Sequence, residues 1–539
     1  MGYKIAIIGW DAADFEVIRP LLHAGALPNL QRLMSVGKWG RLESTLHPLS
    51  PVAWSTFMTG MNPGKHGIFD FVGLCQDGSF QFANGGTIKA ETLWARLSKV
   101  GRQVCVVNVP MTYPPETVNG CIVSGMDAPQ MDRAFTYPLE LGRDLATRFV
   151  HYRTDIPTRH VGIPVDDYAP QYVQSLCNAA ELRGQVTCYL VERYSPDLLV
   201  SVFTAPDRVQ HALGSLMAGP ISPDDGIGQV YQACDRALGE ILDMLGEDWI
   251  VFVMSDHGAC AYDRVFELSS WLVAQGWLSV RAPFLPGWLK GISGPLRRTL
   301  ARLFLPRSKR TPGREQFLNR IVWQETRAFA IGAFGSIYVN TRDRFPGGTV
   351  ESESEYREIC EQISDDLLAV RDLDTGESVV RAVHRGADVY HGPYLKLAPD
   401  LLIETNREYF VRNSLDHFEG KIIYPAGRYR GRSLAHTGRH TSQGILVAAG
   451  APVASGEWQA GATIADLAPT ALYLAGLPVS NEMDGEPLLD WLSPAYCQSH
   501  PVEHVEGALQ TDTESATGAY SEQEAASVES RLRDLGYLD

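Results

Sequence analysis

No apolar run in this 539-residue chain approaches the ~20 residues needed to cross a bilayer as a helix. The first apolar stretch, Ile5-Ala6-Ile7-Ile8, ends at Gly9 and is too short for a secretory h-region of roughly 7–15 residues. Gly2 is followed by Ala6 rather than the Ser or Thr that N-myristoylation requires at that position. Cysteine is also sparse: nine residues, an odd number, with no C-x-x-C spacing. That excludes a disulfide framework or a zinc knuckle. Several of the cysteines lie inside apolar runs, such as Cys105 in Gln103-Val-Cys-Val-Val-Asn108, and read as small buried hydrophobes in a reducing compartment. Positive charge is outnumbered, 47 Lys and Arg against 63 Asp and Glu, for a net −16. A broad nucleic-acid-binding surface is therefore not expected. These absences together predict a soluble cytoplasmic protein with a small-molecule substrate.

What is present is a large globular core. Forty-five per cent of the residues are hydrophobic, and the length corresponds to three to four domains or one large α/β domain with insertions. Short apolar runs recur at 4–9, 103–108, 121–125, 197–203, 249–254 and 444–449, each bounded by Gly, Asp, Asn or Pro. Longer helical patterns separate several of them, for example 169–194 and 228–245. Continuous rather than alternating hydrophobicity in such runs predicts a mostly parallel central sheet covered by helices on both faces. The rhythm breaks between about 263 and 439. That interval reads as an inserted cap on the substrate side (263–435), with short strands in 328–340, 377–384 and 400–404. The remaining core falls in 1–262 and 436–495. Residues 281–314 carry nine Lys and Arg and no Asp or Glu, interspersed with Trp288 and Phe304. The plain reading is a solvated cap surface; the sharper one is peripheral contact with an anionic membrane. From Pro501 onward nine acidic residues face two Arg, which predicts a polar tail (496–539) ending in a short docking helix at 521–537.

Ligands of open α/β sheets bind beyond the carboxyl ends of the strands. There the sequence places Asp11, then Asp207 and His211, then Ser255-Asp256-His257-Gly258, with Gly438-Arg-His440 just ahead of the last run. His436 competes with His440. Asp and His without Cys suit zinc, manganese or a similar divalent ion. Six such ligands and a hydroxyl are too many for one tetrahedral ion and suit two ions about 3.5–4 Å apart. Asp207 and His211 are spaced to share one helix face. Ser50-Pro51 ahead of Val-Ala-Trp-Ser-Thr-Phe-Met-Thr-Gly60 reads as an N-cap, a Pro at the first helical position and a glycine stop. A serine there stands at the positive end of a helix dipole, where a metal on its oxygen would make it a nucleophile.

In their order, Asp11, Ser50, Asp207-x3-His211, Ser255-Asp256-His257-Gly258 and Gly438-x-His440 resemble the motifs of the alkaline phosphatase superfamily. The type I phosphodiesterase/nucleotide pyrophosphatase branch is the most similar. Met58-Thr-Gly60, Pro63-Gly-Lys-His-Gly-Ile68, Asp466-Leu-Ala-Pro-Thr470 and Met483-Asp-Gly485 extend the likeness over roughly 1–260 and 436–490. The resemblance implies that Asp11, Ser50, Asp256 and His257 hold one divalent ion, and Asp207, His211 and His440 the other. It further implies attack by Ser50 on phosphorus and a phospho-seryl intermediate. Nucleotide pyrophosphatases commonly carry Asn three residues after the nucleophile; here Ala53 stands there. Asn108, or the backbone N–H groups of Val52 and Ala53, are candidates to bind the phosphoryl oxygen instead. Trp54 fits equally an apolar wall for a diester substituent or a place in the core, and Lys65 is the one local cation.

Rival readings are a phosphomonoesterase or phosphomutase of the same superfamily and, outside enzymes, a binding or scaffold protein on a hydrolase fold. Gly60-Met-Asn-Pro-Gly64-Lys65-His66 is one residue short of a P-loop and lacks its Ser or Thr, which favours a structural role for His66. Ser50-Pro51-Val52-Ala53-Trp54 lacks the Pro and Arg of a sulfatase motif.

Overall fold

A computed structural model describes residues 2–129, 134–156, 165–281, 318–413, 415, 421–426, 437–507 and 520–534. His436 and all but Arg281 of the basic stretch 281–314 lie outside the described residues.

Nine strands build the central sheet: β1 (Lys4–Trp10), β2 (Lys38–Glu43), β3 (Val104–Val107), β4 (Gly120–Val123), β5 (Thr136–Tyr137), β6 (Leu198–Phe203), β7 (Trp249–Met254), β8 (Gln443–Ala449) and β9 (Gly456–Thr463). Their order across the sheet is β9-β2-β8-β7-β1-β6-β3-β4-β5. The five strands from β7 to β4 run parallel to one another. Both faces are covered. Ile5 and Ile7 of β1 join one buried apolar cluster, and Ala6, Ile8 and Trp10 join the other. With no solvent-facing side, the strands have no reason to alternate polar and apolar residues.

The helix α1 (Ser50–Thr59) packs on the first face, with Val52, Trp54 and Phe57 in that cluster. On the second face lie α2 (Val165–Tyr194), α3 (Ala205–Leu213) and α4 (Gly226–Met244), which contribute Val186, Leu190, Val209, Ile227 and Val230.

One strand departs from the parallel expectation in a way that matters. β8 is antiparallel to β7, with Leu446 opposite Met254 and Ala449 opposite Val251. Residues that precede a parallel strand lie at the amino edge of the sheet. Because β8 is reversed, the residues before it, including His440, arrive at the carboxyl edge with the other candidates. Its other neighbour, β2, pairs antiparallel with it and parallel with β9.

Between α4 and β8 the chain forms a four-stranded antiparallel sheet in the order Ala328–Ala330, Ser336–Val339, Leu401–Thr405, Val380–Arg385. The expected single strand in 328–340 is thus two strands joined by a tight turn. A three-stranded sheet of Tyr409–Arg412, Arg264–Glu267 and Ile423–Pro425 stands beside it. The apolar residues of both sheets merge with the α1-side cluster.

Pro494–Ser499 is helical, and His504–Val505 pairs with Val479–Ser480. The last described helix, α5 (Glu522–Asp534), docks on the loop after β4: Tyr520 stacks on Tyr113, and Arg531 donates to the carbonyls of Met126, Ala128 and Pro129. None of the described helices is long and apolar enough to cross a membrane.

Candidate metal and phosphoryl-transfer site

All seven residues expected to carry chemistry converge at the carboxyl edge of β1, β6 and β7, and each is buried, His211 being the most exposed at 7 %. Asp11 follows β1 directly. Ala12 then takes a left-handed φ of 59° and donates its N–H to Asp256 Oδ1 at 3.2 Å. Asp207 and His211 lie on α3, one turn apart, with His211 Nε2 3.2 Å from Asp207 Oδ1. Close backbone approach brings His440 to them. A Cβ on Gly214 would sit 2.2 Å from the nitrogen of Gly438, and one on Gly438 2.3 Å from the carbonyl oxygen of Gln210, so both positions need glycine. His440 Nε2 then lies 2.9 Å from His211 Nε2 and 3.1 Å from Asp207 Oδ1. On the other side, His257 Nε2 is 3.2 Å from Asp256 Oδ2, 3.4 Å from Ser50 Oγ and 3.9 Å from Asp11 Oδ1.

The histidine tautomers follow from their outer contacts. Nδ1 of His211 meets the Gly438 carbonyl at 3.2 Å, that of His440 the Pro48 carbonyl at 2.7 Å, and that of His257 the Gly258 carbonyl at 3.2 Å. A carbonyl only accepts, so each Nδ1 carries a proton, and each Nε2 is the nitrogen turned toward the carboxylates, where it can hold a proton or a metal ion. Nitrogen and carboxylate oxygen atoms about 3 Å apart need a proton or a metal ion among them. Two groups satisfy metal-ligand spacing: Asp207, His257 and His440, and Asp11, Asp256 and His257. Asp11 Oδ1 and Asp256 Oδ2 are buried without a hydrogen bond. The donor set therefore fits divalent metal, and an Asp/His set without Cys fits zinc or manganese.

The electrostatics agree. Burial, with Asp256 and Asp207 nearby, raises Asp11 well above the usual carboxylate range. Burial pushes Asp256 up to about 8. Burial also pushes on Asp207, but His211, His440 and Arg208 outweigh it and hold that carboxyl well below its ordinary value. Burial lowers His257 and His440, keeping both neutral, as metal ligands must be.

Several expectations are corrected. Ser50 is the first residue of α1, not its cap; Leu49 caps the helix, without a side-chain hydrogen bond. The N–H groups of Val52 and Ala53 both bond the Leu49 carbonyl at 2.9 Å and are not available to a phosphoryl oxygen. Trp54 is fully buried, edge-on to Phe57 and over Gly9, so it belongs to the core rather than to a substrate wall. Lys65 is committed to Asp484 at 2.7 Å and to the Glu482 carbonyl at 2.8 Å. His66 is a structural histidine: Nδ1 accepts from the Ile68 N–H, and Nε2 lies 3.0 Å from Thr56 Oγ1. Asn108 stands at the end of β3 on the same sheet edge, with φ 61° and both amide atoms buried without a partner. Asn tolerates this left-handed backbone better than most residues, and its buried, unpaired amide remains a candidate donor to a ligand.

Sequence reasoning missed Arg208. It is almost wholly buried, grips Asp155 with Nε and Nη2 at 2.9 and 3.1 Å, and donates Nη1 to Asp207. An Arg on a helix reads as solvated; its position next to Asp207 was the one available signal.

A mostly parallel sheet flanked by helices, with an Asp/His cluster and a hydroxyl at its carboxyl edge, is a mixed α/β architecture of the alkaline phosphatase kind. The family model for type I phosphodiesterase / nucleotide pyrophosphatase matches residues 5–421, and the chain belongs to that family. No curated protein sequence matches the chain. Among solved structures, phosphonoacetate hydrolase from Sinorhizobium meliloti 1021, in complex with phosphonoformate, is similar, with a TM-score of 0.54 at 13% identity over 88% of this chain and 96% of that one. Human ectonucleotide pyrophosphatase/phosphodiesterase 5 gives 0.48 at 13% identity, over 91% of this chain and 100% of that one. A mutant of alkaline phosphatase PafA gives 0.49 at 12% identity, over 92% and 99%.

Proposed function

We propose that the protein hydrolyses phosphodiester or pyrophosphate-type bonds of a small-molecule substrate, with Ser50 as nucleophile. In this reading Asp11, Ser50, Asp256 and His257 hold one divalent ion, and Asp207, His211 and His440 a second, zinc or manganese. The observation that carries it is the convergence of three imidazoles and three buried carboxylates at one sheet edge, with the Ser50 hydroxyl 3.4 Å from His257 Nε2. Bound ions supply Lewis-acid charge and lower the pKa of the serine hydroxyl and of water.

The chain's own residues do the rest. Ser50 sits at the amino end of α1, where the helix dipole favours anionic oxygen. Its Oγ forms a bond to phosphorus as the bond from phosphorus to the leaving oxygen breaks, giving a phospho-seryl group that water then cleaves. The carbonyls of Gly438, Pro48 and Gly258 keep the three imidazoles in the ligand tautomer. In this reading Asn108, whose buried amide has no hydrogen-bond partner, donates to a non-bridging oxygen.

A diester is favoured over a monoester by charge. A monoester dianion calls for an added cation, yet Lys65 is bound to Asp484, and Arg208 to Asp155 and Asp207. A diester leaves one oxygen esterified and needs less neutralisation. The test is kcat/KM for an aryl phosphodiester against the matched aryl monoester, with elemental analysis of the same preparation. The expected result is diester preference with about two ions per chain. A monoester preference of about tenfold or more, or full activity without metal, overturns the reading.

A further inference from the structure

We infer that Phe334 is a specificity-determining residue that receives a flat, apolar ester substituent beside the transferred phosphoryl group; this rests on the function proposed above. The turn between the strands Ala328–Ala330 and Ser336–Val339 runs Ile331-Gly332-Ala333-Phe334-Gly335. Three of these residues adopt left-handed backbone: Gly332 at φ 84°, Phe334 at 56° and Gly335 at 88°. Two are glycines, for which this costs nothing. The third is a bulky aromatic, in a region that L side chains avoid. A glycine at 334 would make the same turn without strain, so the turn itself does not call for a ring there.

Other residues hold Phe334 in place. Asp70, buried under the turn, accepts the Ala333 N–H at 2.9 Å, and a Cβ on Gly332 would lie 2.4 Å from its carboxylate. Asn413 donates to the Gly332 carbonyl at 2.7 Å. So fixed, the Phe334 ring lies 5.4 Å from the His440 ring, tilted by 30°, and meets Phe410 edge-on at 5.8 Å. His440 in turn stacks on His257 at 3.7 Å. The three rings form a short column that starts at the nucleophile's neighbour and ends at Phe334. The two histidines are fully buried, whereas Phe334 is partly exposed. A partly exposed aromatic face, held against strain one ring from the metal ligands, is the surface on which a planar apolar group stacks. With Trp54 in the core, it supplies the apolar wall of the site.

The test is calorimetric binding of phenylphosphonate and methylphosphonate to the metal-loaded protein, which needs no turnover. Wild type is expected to bind the phenyl compound about fivefold or more tightly than the methyl one. Phe334→Ala should bring the two within about twofold, and Phe334→Tyr should keep the preference. Phe334→Gly, which relieves the backbone strain, should behave as Phe334→Ala and guards against a folding defect. If wild type binds both phosphonates equally, or if Phe334→Gly keeps the phenyl preference, the role of Phe334 falls and the proposed reaction stands. If neither phosphonate binds, this inference falls, and the aryl-diester assay above decides the proposed reaction separately.

Discussion

The two halves of the ligand cluster are built on opposite electrostatic plans. Asp11 and Asp256, with one imidazole, crowd two carboxylates whose Oδ1 and Oδ2, respectively, lack any hydrogen bond. Asp207, with two imidazoles, is already met by the buried guanidinium of Arg208. Burial raises the first pair of carboxyls, whereas the partners of Asp207 hold it low. The first half is incomplete without a cation; the second is partly neutralised from within. Fixed positive charge thus stands beside Asp207, whereas the pair next to His257 and Ser50 is left without a guanidinium hydrogen bond; under the proposed function a metal ion there would supply the charge that a developing alkoxide needs.

Removing the group both halves serve is expected to have the largest effect. Ser50→Ala should lose on the order of a thousandfold or more in kcat while elemental analysis still finds both ions. Near-normal turnover would break the comparison at its centre. Next, Asp256→Asn should cost more than His211→Asn, by about tenfold in kcat/KM and with greater loss of metal, because the first half has no internal cation to fall back on. Equal losses would show that the two halves are equivalent. A smaller effect is expected from Asp155→Asn. It loosens the two-pronged grip on Arg208 and should weaken metal binding in the second half by roughly ten- to a hundredfold, as titration with the apo protein would show.

The last test is pH. In metal-free protein Asp256 keeps its proton to about pH 8, whereas an unfolded aspartate loses it near 3.8. The folded state thus binds more protons across that window, so metal-free stability should fall as pH rises from about 4 to 8, by up to about 1.4 kcal/mol per pH unit per group. Thermal melts should show the slope, added zinc should flatten it, and Asp256→Asn should reduce it. His66 and His47 act in the opposite direction. Burial lowers them to about 3 and about 4, so stability should drop as pH falls below about 6.5, where the unfolded histidines take up protons first.

How much of this was legible depended on whether a residue's partner was local. The six main apolar runs read directly as strands because both faces of the sheet are covered. The seven cluster residues read as candidates because each stands beside the end of such a run or of a short helix. Ser50 was displaced by one position, since a Ser-Pro pair fits both the cap and the first turn of a helix. Trp54 was ambiguous for a physical reason: an aromatic four residues after Ser50 suits a wall or a core equally, and only its packing on Gly9 decides. Arg208 and Phe334 were not legible. Burial of the first depends on Asp155, 53 residues away in sequence, and placement of the second on Asp70, 263 residues from Ala333.

By itself, then, the sequence determined the chemistry that is available: carboxylates, imidazoles and one hydroxyl at strand and helix ends. That information is local, because residue type and hydrophobic period are local properties. Tertiary structure alone decided which of these groups meet. The reversal of β8 carries His440 to the edge where Asp207 waits, 233 residues earlier. Backbone carbonyls from three separate segments set the imidazole tautomers, and a turn between two strands of the neighbouring sheet places an aromatic ring over them. Each depends on contacts between distant segments, which no local pattern encodes.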